Sequence, residues 1–391
     1  MSPRLLAFFD TRYQSAPDIA AVTGGCDPWD ALRAARPASR THAPLNLPGT
    51  LGTYDLAARD QAALVVAFAA SAGLSGFVVD CHPTATGYTT GAAALMPALG
   101  DRFGLAFQWP VGRDPFWQAP ADADSRMARA RALIAALGRD AHVRVGGRTI
   151  LTVDHPDLLI DTARSLDLLR RAAAEAGLAG LYLVASRAEQ GDALSLGYDA
   201  LVDPSPGDWA SCAQLNISSG SYDLLEMLAG LRDSSELTDR YFMYNLFVIS
   251  RMIDRRKRGK VFPRVFPFFQ DWATHPDGGA TLLFSRGLVG SSQVNWPSFG
   301  RFIENGMVYA AETFEPDESL CFLHSWNHWL DGSQVEPSLF DGDLVYNALK
   351  DAIAKARFVI ATGGGLRPEI DPALRETIET VCAASARLYA A

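Results

Sequence analysis

The residues best equipped for chemistry crowd into one short stretch, Leu320–Pro337, which reads LCFLHSWNHWLDGSQVEP. An apolar run ends at His324, which stands with the other strand-end groups, and passes directly into Ser325, Trp326, Asn327, His328 and Trp329, followed by Asp331 and then Glu336. An imidazole and a carboxyl group close together in sequence can move protons near neutral pH. Two tryptophans with polar groups between them are costly to expose unless a ligand covers them. Trp326 and Trp329 are therefore expected to line a binding site, with Asn327 and Glu336 beside them.

Further candidates lie where other apolar runs end: Asp10 with Arg12 and Tyr13, Asp80 with His82, Trp109, Asp154 with His155, Ser186 with Arg187, Asp203, and Asp271 with Trp272. A saccharide site wants this mixture, because aromatic rings stack on the apolar faces of sugars while carboxylates grip hydroxyls and transfer protons. Asp10, Asp80, His82, Trp109, Asp154 and Asp271 are expected to contact substrate. Any one of these acids is more commonly a helix cap or a structural partner, so the set carries the argument. Neither Asp80 with His82 nor Asp154 with His155 makes a persuasive ligand set, and no metal or other cofactor is expected.

Such residues need a scaffold that gathers distant strand ends. Eight short apolar runs are candidates for strands: Leu5–Phe9, Phe77–Val79, Leu105–Trp109, Thr149–Val153, Leu181–Val184, Ala200–Val202, Val261–Phe266 and Leu320–Leu323. Continuous rather than alternating hydrophobicity marks a parallel strand covered on both faces. Helices are expected at Leu56–Ala72 behind Asp55 as N-cap, Ser125–Leu137, Thr162–Ala176 behind Asp161, Asp239–Arg258, Leu344–Ala361 and Pro372–Tyr389. Alternating strands and helices predict an α/β fold, and this number of strands predicts a closed (β/α)8 TIM barrel with its active site at the C-terminal strand ends. The rival open doubly wound sheet would carry G-x-G-x-x-G after its first strand, which is missing here. Cys26–Pro48 reads as an ordered loop. With no repeat or linker, one catalytic domain over residues 1–391 is expected, with residues 203–238 as a loop insertion over the active site.

The chain has 391 residues, 48% hydrophobic and 20% charged, enough to build a sizeable core. Its formal charge of -9 disfavours nucleic acid and anionic membranes, which reward clustered Lys and Arg. The 5 cysteines form no C-x-x-C pair, so neither a disulfide framework nor a zinc knuckle is suggested. No stretch approaches the ~20 apolar residues of a membrane span, and Leu5–Phe9 is too short for a signal-peptide core. A cytoplasmic protein with a carbohydrate substrate is expected, without membrane insertion; the oligomeric state stays open.

Leu320–Pro337 resembles the signature W-N-E-W-x-E-G-x-x-x-E-P of the WbsX-like proteins, which are related to glycoside hydrolase family 99. Other elements are similar and fall in family order between about residues 48 and 350. They are Pro48–Leu56 (P-G-x-L-G-x-Y-D-L), Gly73–Phe77 (G-[IV]-x-G-F), Val143–Thr149, Ala176–Leu183, and Val265–Pro267 followed by Asp271 and Pro276. The resemblance implies a (β/α)8 barrel acting on glycosides. Family 99 relatives cleave α-mannosides with retention, and WbsX-like proteins are named as glycosyltransferases of surface-polysaccharide synthesis. The signature's two glutamates fall on His328 and Asp331. The resemblance thus implies Asp331 as acid/base and His328 as an assisting base or 2-hydroxyl contact. This chain departs from the pattern at both glutamates, and an asparagine–glutamate pair usual after the third strand is replaced by Pro110 and Val111.

Three functions remain in view. The leading one is a glycoside hydrolase or transglycosidase acting on an α-linked saccharide of a surface or polymeric glycan. A glycosyltransferase of O-antigen type polysaccharide biosynthesis would need a phosphate grip, for which Arg12, Arg113 and Arg187 are the candidates near strand ends. A catalytically reduced glycan-binding protein is the third.

Overall fold

The computed structural model describes residues 2–36, 45–100, 103–138, 142–186, 192–203, 240–243, 261–270, 273, 282–285 and 296–364. Within them the expected strands form: β1 (Arg4–Phe9), β2 (Gly76–Asp80), β3 (Gly104–Pro110), β4 (Arg148–Asp154), β5 (Leu181–Ser186), β6 (Ala200–Val202), β7 (Val261–Phe262 continuing as Arg264–Val265) and β8 (Leu320–Leu323). All pair in parallel and in chain order, and β8 pairs with β1. The last gap is closed by β7. Its first half pairs with β6 and its second with β8, on either side of Pro263, whose carbonyl accepts from the Phe322 amide at 2.8 Å. Proline lacks an N–H, so it sits where the strand changes partners without wasting a donor. The ring is a (β/α)8 barrel.

Period-2 alternation sorts the side chains. Leu6, Phe8, Val78, Ala106, Ile150, Tyr182, Val184, Val202, Phe262 and Phe322 form one buried cluster, the barrel interior. Their neighbours Phe9, Phe77, Phe107, Trp109, Leu151, Leu183 and Leu323 join a second cluster under the helices. Those helices are α1 (Arg59–Ser71), α2 (Ala123–Leu137), α3 (Thr162–Glu175), α4 (Trp296–Thr313) and α5 (Leu344–Ala361), with α4 packed on α5.

Four expectations change in detail. Asp55 does not cap α1, whose N-cap is Ala58; the Asp55 carboxylate instead takes the amide and hydroxyl of Ser15 and the amide of Ala57. Asp161 holds the N-cap position of α3 but makes no side-chain cap bond. The stretch after β1 is not all loop: Pro28–Ala34 is a short helix capped by Asp27. Residues 204–238 of the expected insertion, Pro372–Tyr389, and all of the expected helix Asp239–Arg258 except residues 240–243 lie outside the described residues; Arg240–Met243 is a strand paired in parallel with Leu282–Ser285, not a helix turn. Among the described residues, no helix is long and apolar enough to cross a membrane.

Candidate active site

Continuing the inward parity one step beyond the apolar layer turns the barrel floor from hydrocarbon to polar. Phe8 is followed by Asp10, Val78 by Asp80, Ala106 by Gln108, Val184 by Ser186, Phe262 by Arg264, and Phe322 by His324. On β4 the inward series runs through Thr152 to Asp154, both buried. Seven of the eight strands therefore end in an inward polar group among the described residues, and they surround one mouth.

The densest part is built by β8 and the turn after it. His324 closes the strand; His328 and Asp331 follow on a turn that ends in a 3-10 helix, Trp329–Asp331. Gly332 lets the chain reverse at φ +70, and a Cβ there would meet the Phe268 ring at 3.1 Å. The turn is pinned by the Gln270 amide donating to the Asp331 carbonyl at 2.8 Å, and by the Ser333 amide donating to Asp331 Oδ1 at 3.0 Å. Asp331 Oδ2 is left facing two imidazoles, with His324 Nε2 at 3.5 Å and His328 Nδ1 at 3.4 Å. Burial opposes charge on Asp331, but the two histidines outweigh it and hold its carboxyl well below the usual range. Its resting form is a carboxylate. Arg264 Nη2 lies 2.6 Å from His324 Nδ1, and burial with that guanidinium pushes the His324 imidazole down to about 3.

Across the mouth, Arg12 grips Asp10 through both carboxylate oxygens, with its Nη2 at 2.7 Å from Oδ2. Burial disfavours the Asp10 charge, yet Arg12 and, further away, His328 keep its carboxyl well below the usual range. Asp80 receives Gln108 Nε2 at 2.9 Å and has Arg113 at 3.6 Å. His82 is buried, and desolvation lowers its pKa despite the nearby Asp80 and Asp10 charges.

Behind this layer, Asn327 stitches β8 to β1: Asp10 N–H donates to its Oδ1 at 2.7 Å, and its Nδ2 donates to the Asp10 carbonyl at 2.9 Å and to Tyr54 Oη at 3.0 Å. Tyr54 in turn donates to Glu336, which also accepts from Trp329 Nε1 at 3.0 Å. Burial raises the Glu336 carboxyl to about 8 against these donors.

The structure thus brings together Asp10, Asp80, His82, His328 and Asp331 of the expected residues, and places Asp154 at the end of β4 on the same inward side. It corrects the tryptophans. Trp109, Trp326 and Trp329 are all 0% exposed. Trp109 has outward parity and packs on Trp117 beneath the helices, its Nε1 bonded to Asp114. Trp326 and Trp329 lie in the same outer core, so none of the three offers a face to a sugar. Asn327 and Glu336 are buried too, at 0% and 1%, and hold other residues rather than reach substrate. Asp271 lies outside the described residues. Sequence reasoning counts His324 among the strand-end groups without giving it a role, and omits Arg264. A signal for His324 was present, because His324 and His328 stand four apart with Asp331 three further on.

These three also form the metal-like cluster found among the described residues, their ligand atoms all within 4.8 Å of one another. A metal-bound histidine ordinarily donates its other ring N–H to an acceptor, whereas the other nitrogen of His324 meets a guanidinium, so the donor set fits a metal poorly.

The class defined so far is a parallel (β/α)8 barrel with an acid–imidazole array at its C-terminal mouth. A sequence model of the family described as Glycosyltransferase WbsX matches residues 117–349, well over half of the chain, and the protein belongs to that family. Among solved structures, a glycoside hydrolase-like protein superposes with a TM-score of 0.55 at 15% identity, covering 90% of this chain and 94% of its own. The GH99 endo-alpha-mannosidase from Bacteroides thetaiotaomicron, in complex with BIS-TRIS-propane, superposes at 0.54 with 13% identity, covering 92% of this chain and 98% of that one. A second structure of that enzyme gives 0.53 at 12% identity. These likenesses concern the fold. No curated protein sequence matches the chain.

Proposed function

We propose that the protein processes an α-linked saccharide, as a glycoside hydrolase or transglycosidase, with the His328–Asp331 pair moving the proton. The observation that carries this reading is Asp331 Oδ2 facing His328 Nδ1 at 3.4 Å in the ring of inward polar strand ends. A carboxylate at one ring nitrogen fixes the imidazole's orientation, leaving the other nitrogen to exchange a proton with the reacting oxygen. Asp331 serves acid/base catalysis as the anionic half, and His328, 27% exposed against 13% for Asp331, carries the proton. Asp10 and Asp80, each with an arginine beside it, suit the binding of sugar hydroxyls. The GH99 endo-alpha-mannosidases with this fold make α-mannosides the first substrates to try.

Transfer from an activated sugar is the second reading, and the family match favours it. His328 would then take the proton of an acceptor hydroxyl instead of water. Incubation with aryl α-glycosides and with nucleotide sugars, following product anomers by NMR, separates the two. Release of the aryl alcohol supports hydrolysis, and product formed only with a nucleotide sugar supports transfer. Saccharide binding without either reaction would overturn the enzyme reading.

A further inference from the structure

We infer that Arg264 is a positioning residue: it fixes His324 as a permanently neutral N–H donor aimed at Asp331 and the mouth, making this corner a site for oxygen acceptors and closing it to divalent metals. The inference rests on the mouth being the functional site.

A guanidinium has five N–H donors and no acceptor. With Arg264 Nη2 at 2.6 Å, His324 Nδ1 must present its lone pair, so the proton of the neutral ring sits on Nε2. A second proton on the ring would set two cationic donors face to face inside the barrel, where Arg264 is stacked 4.0 Å over the Phe8 ring. Among the described residues, the groups around His324 are Arg264 from β7, Asp331 and His328 from the turn after β8, and the rings of Phe8 and Phe269 at 6.0 and 5.9 Å. Asp331 favours a charged ring, Arg264 and His328 oppose it, and burial decides for the neutral form.

His324 Nε2 is buried and has no partner at hydrogen-bonding geometry; Asp331 Oδ2 at 3.5 Å is beyond the usual N–H···O range of about 2.7–3.2 Å. An unsatisfied buried donor is costly, and an oxygen entering the mouth would relieve it. A cation would not. The 3.4 and 3.5 Å spacings resemble the ~3.4 Å between two ligands of a tetrahedral ion bound at about 2.0–2.1 Å, so spacing alone would admit zinc. Ligation would need the Nε2 lone pair, which moves the proton to Nδ1 and against Arg264.

The test uses the full chain with 15N-labelled imidazoles, observed by NMR between pH 5 and 8. In the unmodified protein, His324 should show a bare Nδ1, a protonated Nε2 and no titration. In Arg264→Gln, which can accept as well as donate, both tautomers should appear and titration should enter the range; Arg264→Lys should restore the single tautomer. Zinc chloride should bind Arg264→Gln about 10- to 100-fold more tightly than the unmodified protein. A protonated Nδ1, an ordinary titration of His324, or tight zinc binding that shifts His324 and His328 together in the unmodified protein would overturn the inference. The unmodified spectra decide it even if the variants fail to fold. None of these readouts needs turnover, so an inactive protein would refute the functional reading and leave this one standing.

Discussion

At the scale of single residues, Asp331 is the centre of the site's electrostatics. Its depressed pKa means that its charge is stabilised in the folded state by the two imidazoles. Asp331→Asn keeps an acceptor for the Ser333 amide but removes that charge. Turnover of a competent glycoside should fall by about 10²–10⁴-fold, with the thermal midpoint lowered by only a few degrees (about 1 kcal/mol being worth ~2–8 °C in a domain). Initial rates and a melting scan on the same preparation check both; an unchanged rate removes Asp331 from the chemistry. Trp326→Ala is the contrasting case. The ring is fully buried in the outer core beside Phe77 and Tyr346, so its truncation should cost about 3–5 kcal/mol of stability in denaturant unfolding rather than weaken binding selectively. Weaker saccharide binding at undiminished stability would contradict that assignment.

The strands, at the next scale, explain what the sequence disclosed and what it hid. Runs such as Leu5–Phe9 and Leu181–Val184 are apolar on every residue because barrel strands are covered on both faces, and that made all eight legible. The same continuity conceals parity, since a run without alternation does not say which residues face the axis. Trp109 shows the consequence: counting back by twos to Phe107 puts it in the helix-facing set, while Gln108 points inward. Arg264 escaped notice because it sits inside an apolar run, Val261–Phe266, and its inward placement depends on β7 meeting β6 and β8 on either side of Pro263. Glu336 and Asn327 looked like ligand contacts because polar residues beside tryptophans suit both exposed platforms and buried networks. Strand contact also predicts a sensitive position. A Cβ on Gly76 would lie 2.3 Å from the Gly104 carbonyl, where β2 and β3 begin side by side. Gly76→Ala should therefore destabilise the protein by about 1–3 kcal/mol or more, read as a lower denaturant midpoint at unchanged slope, while Gly87→Ala, with its nearest contact at 3.6 Å, should be mild.

For the molecule as a whole, the polar layer makes stability depend on pH in two directions. Asp10 and Asp331 have depressed folded-state values; their contribution is present above the ordinary 3.8 and is lost as pH falls through the folded values. Glu336 is the reverse. Its carboxyl is raised by burial from 4.5 to about 8, so the folded state binds a proton that the unfolded chain has released between those values. Stability contributed by that proton is complete below about 4.5, declines as pH rises, and is gone above about 8. The total is on the order of 5 kcal/mol at about 1.4 kcal/mol per pKa unit. The folded chain should therefore be most stable in mildly acidic solution and lose thermal midpoint steadily toward pH 8. Glu336→Gln removes the titrating group and should flatten this decline. A glutamine oxygen at the Oε2 position can still accept from both Tyr54 and Trp329, so the variant stands in for the neutral carboxyl and should approach the parent's stability at acid pH and exceed it above about 8. The slope of midpoint against pH is the diagnostic quantity. If parent and variant decline in parallel between pH 5 and 8, Glu336 is ionised throughout, and its buried charge is carried by the Tyr54 and Trp329 donors that join the mouth to the core.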